Sequence, residues 1–171
     1  MEEIIPILRE GLTRLGLPNA ERAAEMLGIY ARRLTEYNEK VNLTAITDPV
    51  EIATKHFLDC AACAPYIPQG SRCADVGTGA GFPGMVLAIV RPDLELVLFD
   101  SLQKRLNFLE ELAQELGGAG ALRAQPGGGC RAEPSLQRKI RYSAFQSGGA
   151  DVGAGGADPA ACENRRDAYR P

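Results

Sequence analysis

CADVGTGAGFPGMVLAIV, Cys73 to Val90, decides the fold of this chain. A short apolar run ends in Asp75-Val76-Gly77. Glycines then alternate at 77, 79 and 81, and an apolar segment of helical length runs from Phe82. A strand that feeds a helix through Gly77-Thr78-Gly79-Ala80-Gly81 lets a ligand lie against the main chain. Two ligand classes use such a turn. Dinucleotides combine G-x-G-x-x-G with a pyrophosphate at the helix N-terminus. Counted from Gly77, the third glycine comes one residue early, and Phe82 takes a position that should be small. S-adenosylmethionine has no phosphate. It needs close backbone approach for its amino acid and ribose, and a carboxylate for the ribose hydroxyls.

Working outward, Arg91-Pro92-Asp93 reads as a turn and LELVLFD, Leu94 to Asp100, as a second strand. That strand is apolar on both faces, as a central parallel strand should be. Asp100 ends it, 23 residues after Gly77. An acid there serves the ribose of either cofactor class, or else caps the helix that follows. That helix, Ser101 to Gly117, carries Leu102, Leu106, Leu109, Leu112 and Leu116 inward. Pro83 suits the first turn of the preceding helix, where its missing N–H does no harm. Strand, glycine turn, helix, strand, acid, helix is a βαβα unit, which builds a parallel sheet with right-handed crossovers. The fold class is therefore α/β and Rossmann-like.

Upstream, apolar residues recur at helical spacing. Glu2 to Leu15 places Ile4, Ile5, Leu8, Leu12 and Leu15 on one face and stops at Gly16. Asn19 is the expected N-cap of a second helix with Ala23, Met26, Leu27, Tyr30, Leu34 and Tyr37 on one face. Asp48-Pro49 opens a third helix, VEIATKHFLDCAACA, and Pro65 to Ser71 is rich in turn residues. The division expected is a helical segment over residues 1–66, the first half of a sheet domain over 67–117, and a tail over 118–171.

The length of 171 residues suits one domain. A net charge of −3 makes no global electrostatic case for nucleic acid, and leaves room for a local basic patch. No apolar run is long enough to span a bilayer, and MEEIIPILREGL is acidic and amphipathic, unlike a signal peptide. A cytoplasmic location is expected, with the five cysteines reduced. Cys60 and Cys63 form C-x-x-C in an apolar helical setting with no second pair at metal spacing, so no metal is expected.

Three motifs in one order, YNEKVNLTAITDPVEIATKHFLD, DVGTGAGFPG and FDSLQKRLNFL, resemble the small-subunit ribosomal RNA (guanine-N7) methyltransferases, also called glucose-inhibited division protein B. The resemblance runs from about Leu34 to Gly117. It implies a class I methyltransferase sheet behind an amino-terminal helical segment. The implied cofactor is S-adenosylmethionine, and the implied target is one guanine of 16S ribosomal RNA in the small ribosomal subunit. Gly77 and Phe82 fall on the family's cofactor contacts, and Asp100-Ser101 on its ribose-side segment. With Asp75 and Gly79 these make the candidate cofactor set. Asn38, Asn42, Leu43, Thr44 and His56 belong to the shared motif without an assigned step. Guanine N7 offers a free lone pair, so no general base is required and no catalytic residue is nominated. His56 reads as a helix-face residue. Arg32, Arg33, Lys40, Lys55, Lys104 and Arg105 are candidates for RNA phosphates, or an ordinary solvated face. The rival readings are a NAD-binding oxidoreductase and a non-catalytic RNA- or protein-binding fragment.

After Gly117 no helical or strand period survives. Ten glycines fall between 118 and 171, and the sequence supplies no further strand. Such a stretch buries too little apolar surface to offset the entropy of ordering it. The family carries an Arg-Ala-Glu cofactor segment soon after the second sheet helix. Arg131-Ala132-Glu133 resembles it but stands late and lacks a strand before it. The codons of Arg123 to Gly129, read one base later, permit Arg-Ala-Glu at nearly the expected place. The expectation is an incomplete sheet and a frameshifted or truncated carboxy-terminal third.

Overall fold

The computed structural model describes residues 2–117 throughout and the backbone of residues 123–126 and 142–146. Helix α1 is Ile4–Arg14, and its buried Ile4, Leu8 and Leu12 follow the expected stripe. Helix α2 is Ala20–Val41 and packs on α1, burying Ala23, Leu27, Tyr30 and Leu34. Asn19 stands at the N-cap but caps differently from expectation. Its backbone is left-handed, φ 59°, and its side chain makes no cap hydrogen bond. A side-chain cap needs an extended backbone at that residue to reach the next amides. Here the Asn19 carbonyl accepts the Ala23 amide at 3.0 Å instead.

The third helix, α3, begins as expected, with Asp48 Oδ1 accepting the Glu51 amide at 2.9 Å. It is not a uniform α-helix. It comprises α-helical Pro49–Glu51, π-helical Ile52–Leu58 and α-helical Asp59–Ala61. Wide turns of this kind are rare and gather at functional sites. This one carries His56.

Strand β1 is Arg72–Val76, helix α4 Gly84–Val90, strand β2 Glu95–Asp100 and helix α5 Gln103–Glu115. β1 and β2 pair in parallel, Arg72 opposite Glu95 through Val76 opposite Phe99. α4 is buried along its whole length, between the sheet and the amino-terminal helices. In α5, Leu106, Leu109, Leu112 and Leu116 are buried as expected, whereas Leu102 is 42% exposed, because it precedes the first helical turn in extended backbone.

Two strands lie beyond Gly117, where the sequence pattern supplied none. β3, Arg123–Pro126, pairs in parallel with β2, and β4, Tyr142–Gln146, with β1. The order is β3-β2-β1-β4. That is the first part of the doubly wound order, in which a longer sheet continues past the fourth strand. The expectation of no further strand failed because a ladder is made by main chain. The unpaired N–H and C=O groups on the outer sides of β1 and β2 can be met by any extended stretch, with no apolar alternation. LELVLFD is thus central, as its composition requires. The remaining residues after 117, including Arg131-Ala132-Glu133, lie outside the described residues.

Candidate functional site

The site is built where β1 gives way to α4. Gly77, Gly79 and Gly81 have φ of +78°, +58° and +105°. That left-handed region is the reason for glycine at alternate positions. The amides of Gly77 and Thr78 donate to the Phe99 carbonyl at 2.8 and 3.0 Å, so the turn is pinned to the end of β2. The glycines differ in surroundings. A Cβ on Gly79 would meet nothing closer than 3.9 Å. A Cβ on Gly81 would lie 2.6 Å from both the Tyr30 hydroxyl and Leu109 Cδ2. One on Gly84 would overlap Leu98 Cδ2 and crowd Asp75 Oδ2. Gly84 is therefore the glycine that lets the helix close on the sheet. Gly79-Ala80-Gly81-Phe82-Pro83-Gly84 is itself spaced G-x-G-x-x-G. The early-glycine objection to a dinucleotide, counted from Gly77, loses its force.

Asp75 is fully buried beneath the turn. Its Oδ2 accepts the Thr78 hydroxyl at 2.6 Å and the Gly84 amide at 3.0 Å, while its Oδ1 is buried without a partner. Burial pushes its carboxyl up to about 6, against the opposing hydrogen bonds from Thr78 and Gly84, with the Asp100 charge adding to the rise. Asp100 closes the turn from the side. Its Oδ2 accepts the Gly79 amide at 2.9 Å, its Oδ1 the Leu102 amide at 2.9 Å, and Arg105 Nη1 stands 3.4 Å from Oδ2. The carboxylate thus holds the turn and leads into α5. Ser101 beside it is exposed.

The helical segment reaches the same turn. Tyr30, fully buried on α2, donates its hydroxyl to the Ala80 carbonyl at 2.5 Å. Burial holds its phenol well above the ordinary value. Its ring stacks on Phe82 at 5.7 Å, and His56 stacks on Phe82 at 4.5 Å and 15°. His56 Nε2 is 3.1 Å from the Thr44 hydroxyl. Thr44 in turn is clasped by Asn38, which accepts its amide at 2.9 Å and donates to its carbonyl at 3.0 Å. Asn42 ends α2 with a left-handed φ of 50° and reverses the chain toward Thr44. The motif Asn38, Asn42, Thr44, His56 thus folds into one bracket that lays an imidazole on Phe82. Burial lowers the His56 pKa, and the Asp59 charge opposes it.

Tyr30, Thr78 and Gly84 were absent from the sequence-derived site. Tyr30 had a signal: a hydroxyl on the buried face of an apolar helix must find an acceptor. Among the cationic candidates, Arg33 pairs with Glu36, Glu111 and Glu115, Arg32 with Glu115, and Lys55 with Glu51. Lys40 and Lys104 show no ion pair among the described residues and are exposed. Cys60 and Cys73 are free thiols, with burial raising the pKa of Cys60. No group of metal-ligating side chains is present among the described residues, and no helix there is long and apolar enough to cross a membrane.

Residues 23–122 match the family described as rRNA small subunit methyltransferase G. The chain is 53% identical over 103 residues to the ribosomal RNA small subunit methyltransferase G of Desulfitobacterium hafniense, covering 60% of this chain and 43% of that protein. The protein of the same name from Alkaliphilus metalliredigens is 47% identical over 113 residues, 65% of this chain and 47% of the relative. That from Symbiobacterium thermophilum is 46% identical over 114 residues, 66% and 46% of the two chains. The chain thus spans about half the length of the curated relatives it matches.

Proposed function

Because the chain belongs to the rRNA small subunit methyltransferase G family, we propose that its glycine turn holds S-adenosylmethionine and serves methylation of guanine N7 in 16S ribosomal RNA. The family supports a methyltransferase over the NAD-binding and non-catalytic readings.

The observation that carries the cofactor assignment is the turn itself. Gly79 leaves open space above a left-handed backbone, and Asp75 Oδ1 is a buried acceptor without a partner. An orphan acceptor suits an ammonium, and S-adenosylmethionine carries one on its amino acid. Asp100 Oδ2 takes the Gly79 amide and Arg105, and Oδ1 takes the Leu102 amide alone, which leaves acceptor capacity on Oδ1 for a ribose hydroxyl. Phe82, part-exposed between the rings of Tyr30 and His56, offers an apolar contact. The residues present fit the group.

When bound, S-adenosylmethionine supplies a methyl group activated by its sulfonium. Guanine N7 has a bare lone pair and no proton to lose, so the protein needs no base there. Its residues act by placement, which is worth several orders of magnitude when two reactants are aligned. Asp75, Asp100 and Tyr30 fix the turn. His56 stacks on Phe82 beside the turn, with burial lowering its pKa.

Calorimetry tests the reading. S-adenosylmethionine should bind and raise the melting temperature, and NAD should do neither. Binding of NAD alone would overturn the assignment. Transfer of a labelled methyl group to guanine N7 in small-subunit RNA is the assay for the activity.

A further inference from the structure

We infer that Tyr30 is a positioning residue of the cofactor turn, acting through the Ala80 carbonyl; this rests on the proposed binding of S-adenosylmethionine there. Three glycines at positive φ give residues 77–81 a conformationally permissive backbone next to the sheet. Besides the Phe99 carbonyl, which takes the Gly77 and Thr78 amides, three side chains restrain it. Asp100 holds Gly79 from β2, and Asp75 holds Thr78 and Gly84 from below. Both belong to the βαβ unit. The third restraint comes from outside it: the Tyr30 hydroxyl, on α2, accepts nothing from the turn and donates at 2.5 Å to Ala80.

The fit is reciprocal. Ala80 is 4% exposed, so without the hydroxyl its carbonyl loses its partner in a site nearly closed to water. The same hydroxyl fills the space a Cβ on Gly81 would need. The Tyr30 ring also flanks Phe82, whose other ring neighbours are His56 and Phe57. One side chain of the helical segment therefore sets both a carbonyl direction and a ring position at the site. A ring without the hydroxyl, as Phe57 and Phe108 show nearby, would satisfy packing alone.

Tyr30→Phe keeps the ring and removes the donor. Amide exchange on the full ligand-free chain reads the restraint directly, because the amides of Gly77, Thr78, Gly79, Gly81 and Phe82 are all hydrogen-bonded. Exchange at these amides should quicken by about tenfold while α1 amides stay unchanged. Affinity for S-adenosylmethionine should fall by about tenfold. Ile4→Val, which thins the core at α1, should lower the melting temperature without altering either readout. Unchanged exchange in the turn of Tyr30→Phe, or equal quickening in α1, would overturn the inference. So would unchanged affinity in a variant whose parent binds. A parent without affinity defeats the cofactor assignment alone, and the exchange data still decide whether Tyr30 holds the turn.

Discussion

The last residue of β2, Asp100, accepts the amide of Gly79 through Oδ2 at 2.9 Å, so the second strand holds the turn that leaves the first. Asp100→Ala removes that acceptor and the one for Leu102. With the side chain almost fully buried, the loss should be about 1–3 kcal/mol of stability. Affinity for S-adenosylmethionine should fall as well. Chemical denaturation and calorimetry on the same variant check the two effects. A stability loss with unaltered affinity would leave Asp100 as a loop and helix anchor only.

Asp75 should make the protein less stable as pH rises. Its pKa is near 6 in the folded chain, above its ordinary 3.8, so the folded state holds a proton that the unfolded state has lost. The contribution is fully present below about pH 4 and is lost as pH climbs through 6. The shift corresponds to roughly 3 kcal/mol. Asp75→Asn keeps an acceptor for Thr78 and Gly84 and does not titrate. The difference in denaturation midpoint between parent and variant, followed from pH 4 to 7, should move in favour of the variant. A flat difference would contradict the burial argument.

His56 is the chain's single histidine, so its proton resonances titrate without overlap. Burial places its midpoint below 6.5, with Asp59 pulling the other way. The sign is opposite to that of Asp75. Stability linked to His56 is present above pH 6.5 and is lost as pH falls through the lowered midpoint. Asp59→Asn should lower the midpoint further. A midpoint at or above 6.5 in the parent would show that the ring is solvated.

Gly79→Ala and Gly84→Ala should fail in different ways. At Gly84 the added methyl overlaps Leu98 and Asp75, an overpacking cost of about 1–3 kcal/mol. At Gly79 space is open and the penalty is the left-handed backbone, about 1 kcal/mol. Cofactor affinity should suffer more at Gly79, where the methyl stands in the open space. Melting temperature and calorimetry separate the two, and a reversed order on both would refute the assignment of roles.

We propose that the coding frame shifts near the Gly117-Gly118 codons. The family match stops at residue 122, and glycine-rich sequence follows. Reading the gene one base later should give an Arg-Ala-Glu segment followed by apolar strands. The restored product should melt cooperatively and bind cofactor more tightly. A gene that confirms the printed frame would defeat the proposal.

The parts of the molecule that were legible in its sequence are those governed by local chemistry. Asp48 announces a helix start, Gly77 to Gly81 a left-handed turn, and LELVLFD a central strand, because each pattern has one inexpensive solution. The parts that were not legible depend on distant partners. Periodicity shows that Tyr30 faces inward, but not that its hydroxyl meets Ala80. The π-helical register of Ile52–Leu58 leaves no trace in an apolar stripe. Leu102 fits the inward spacing and yet stands outside, because the helix starts one residue later. β3 and β4 draw on ladder positions that belong to other strands, and their own residues carry no alternation.

Fifty residues of chain separate Tyr30 from Ala80. The boundary between the helical segment and the sheet is therefore not one at which recombination could cut freely. A donor protein that supplied only the β1-to-β2 unit would bring a turn lacking its latch. A foreign amino-terminal segment would have to deliver a hydroxyl to one particular carbonyl. An exchange with a relative keeps the latch only where the tyrosine and its acceptor carbonyl arrive matched.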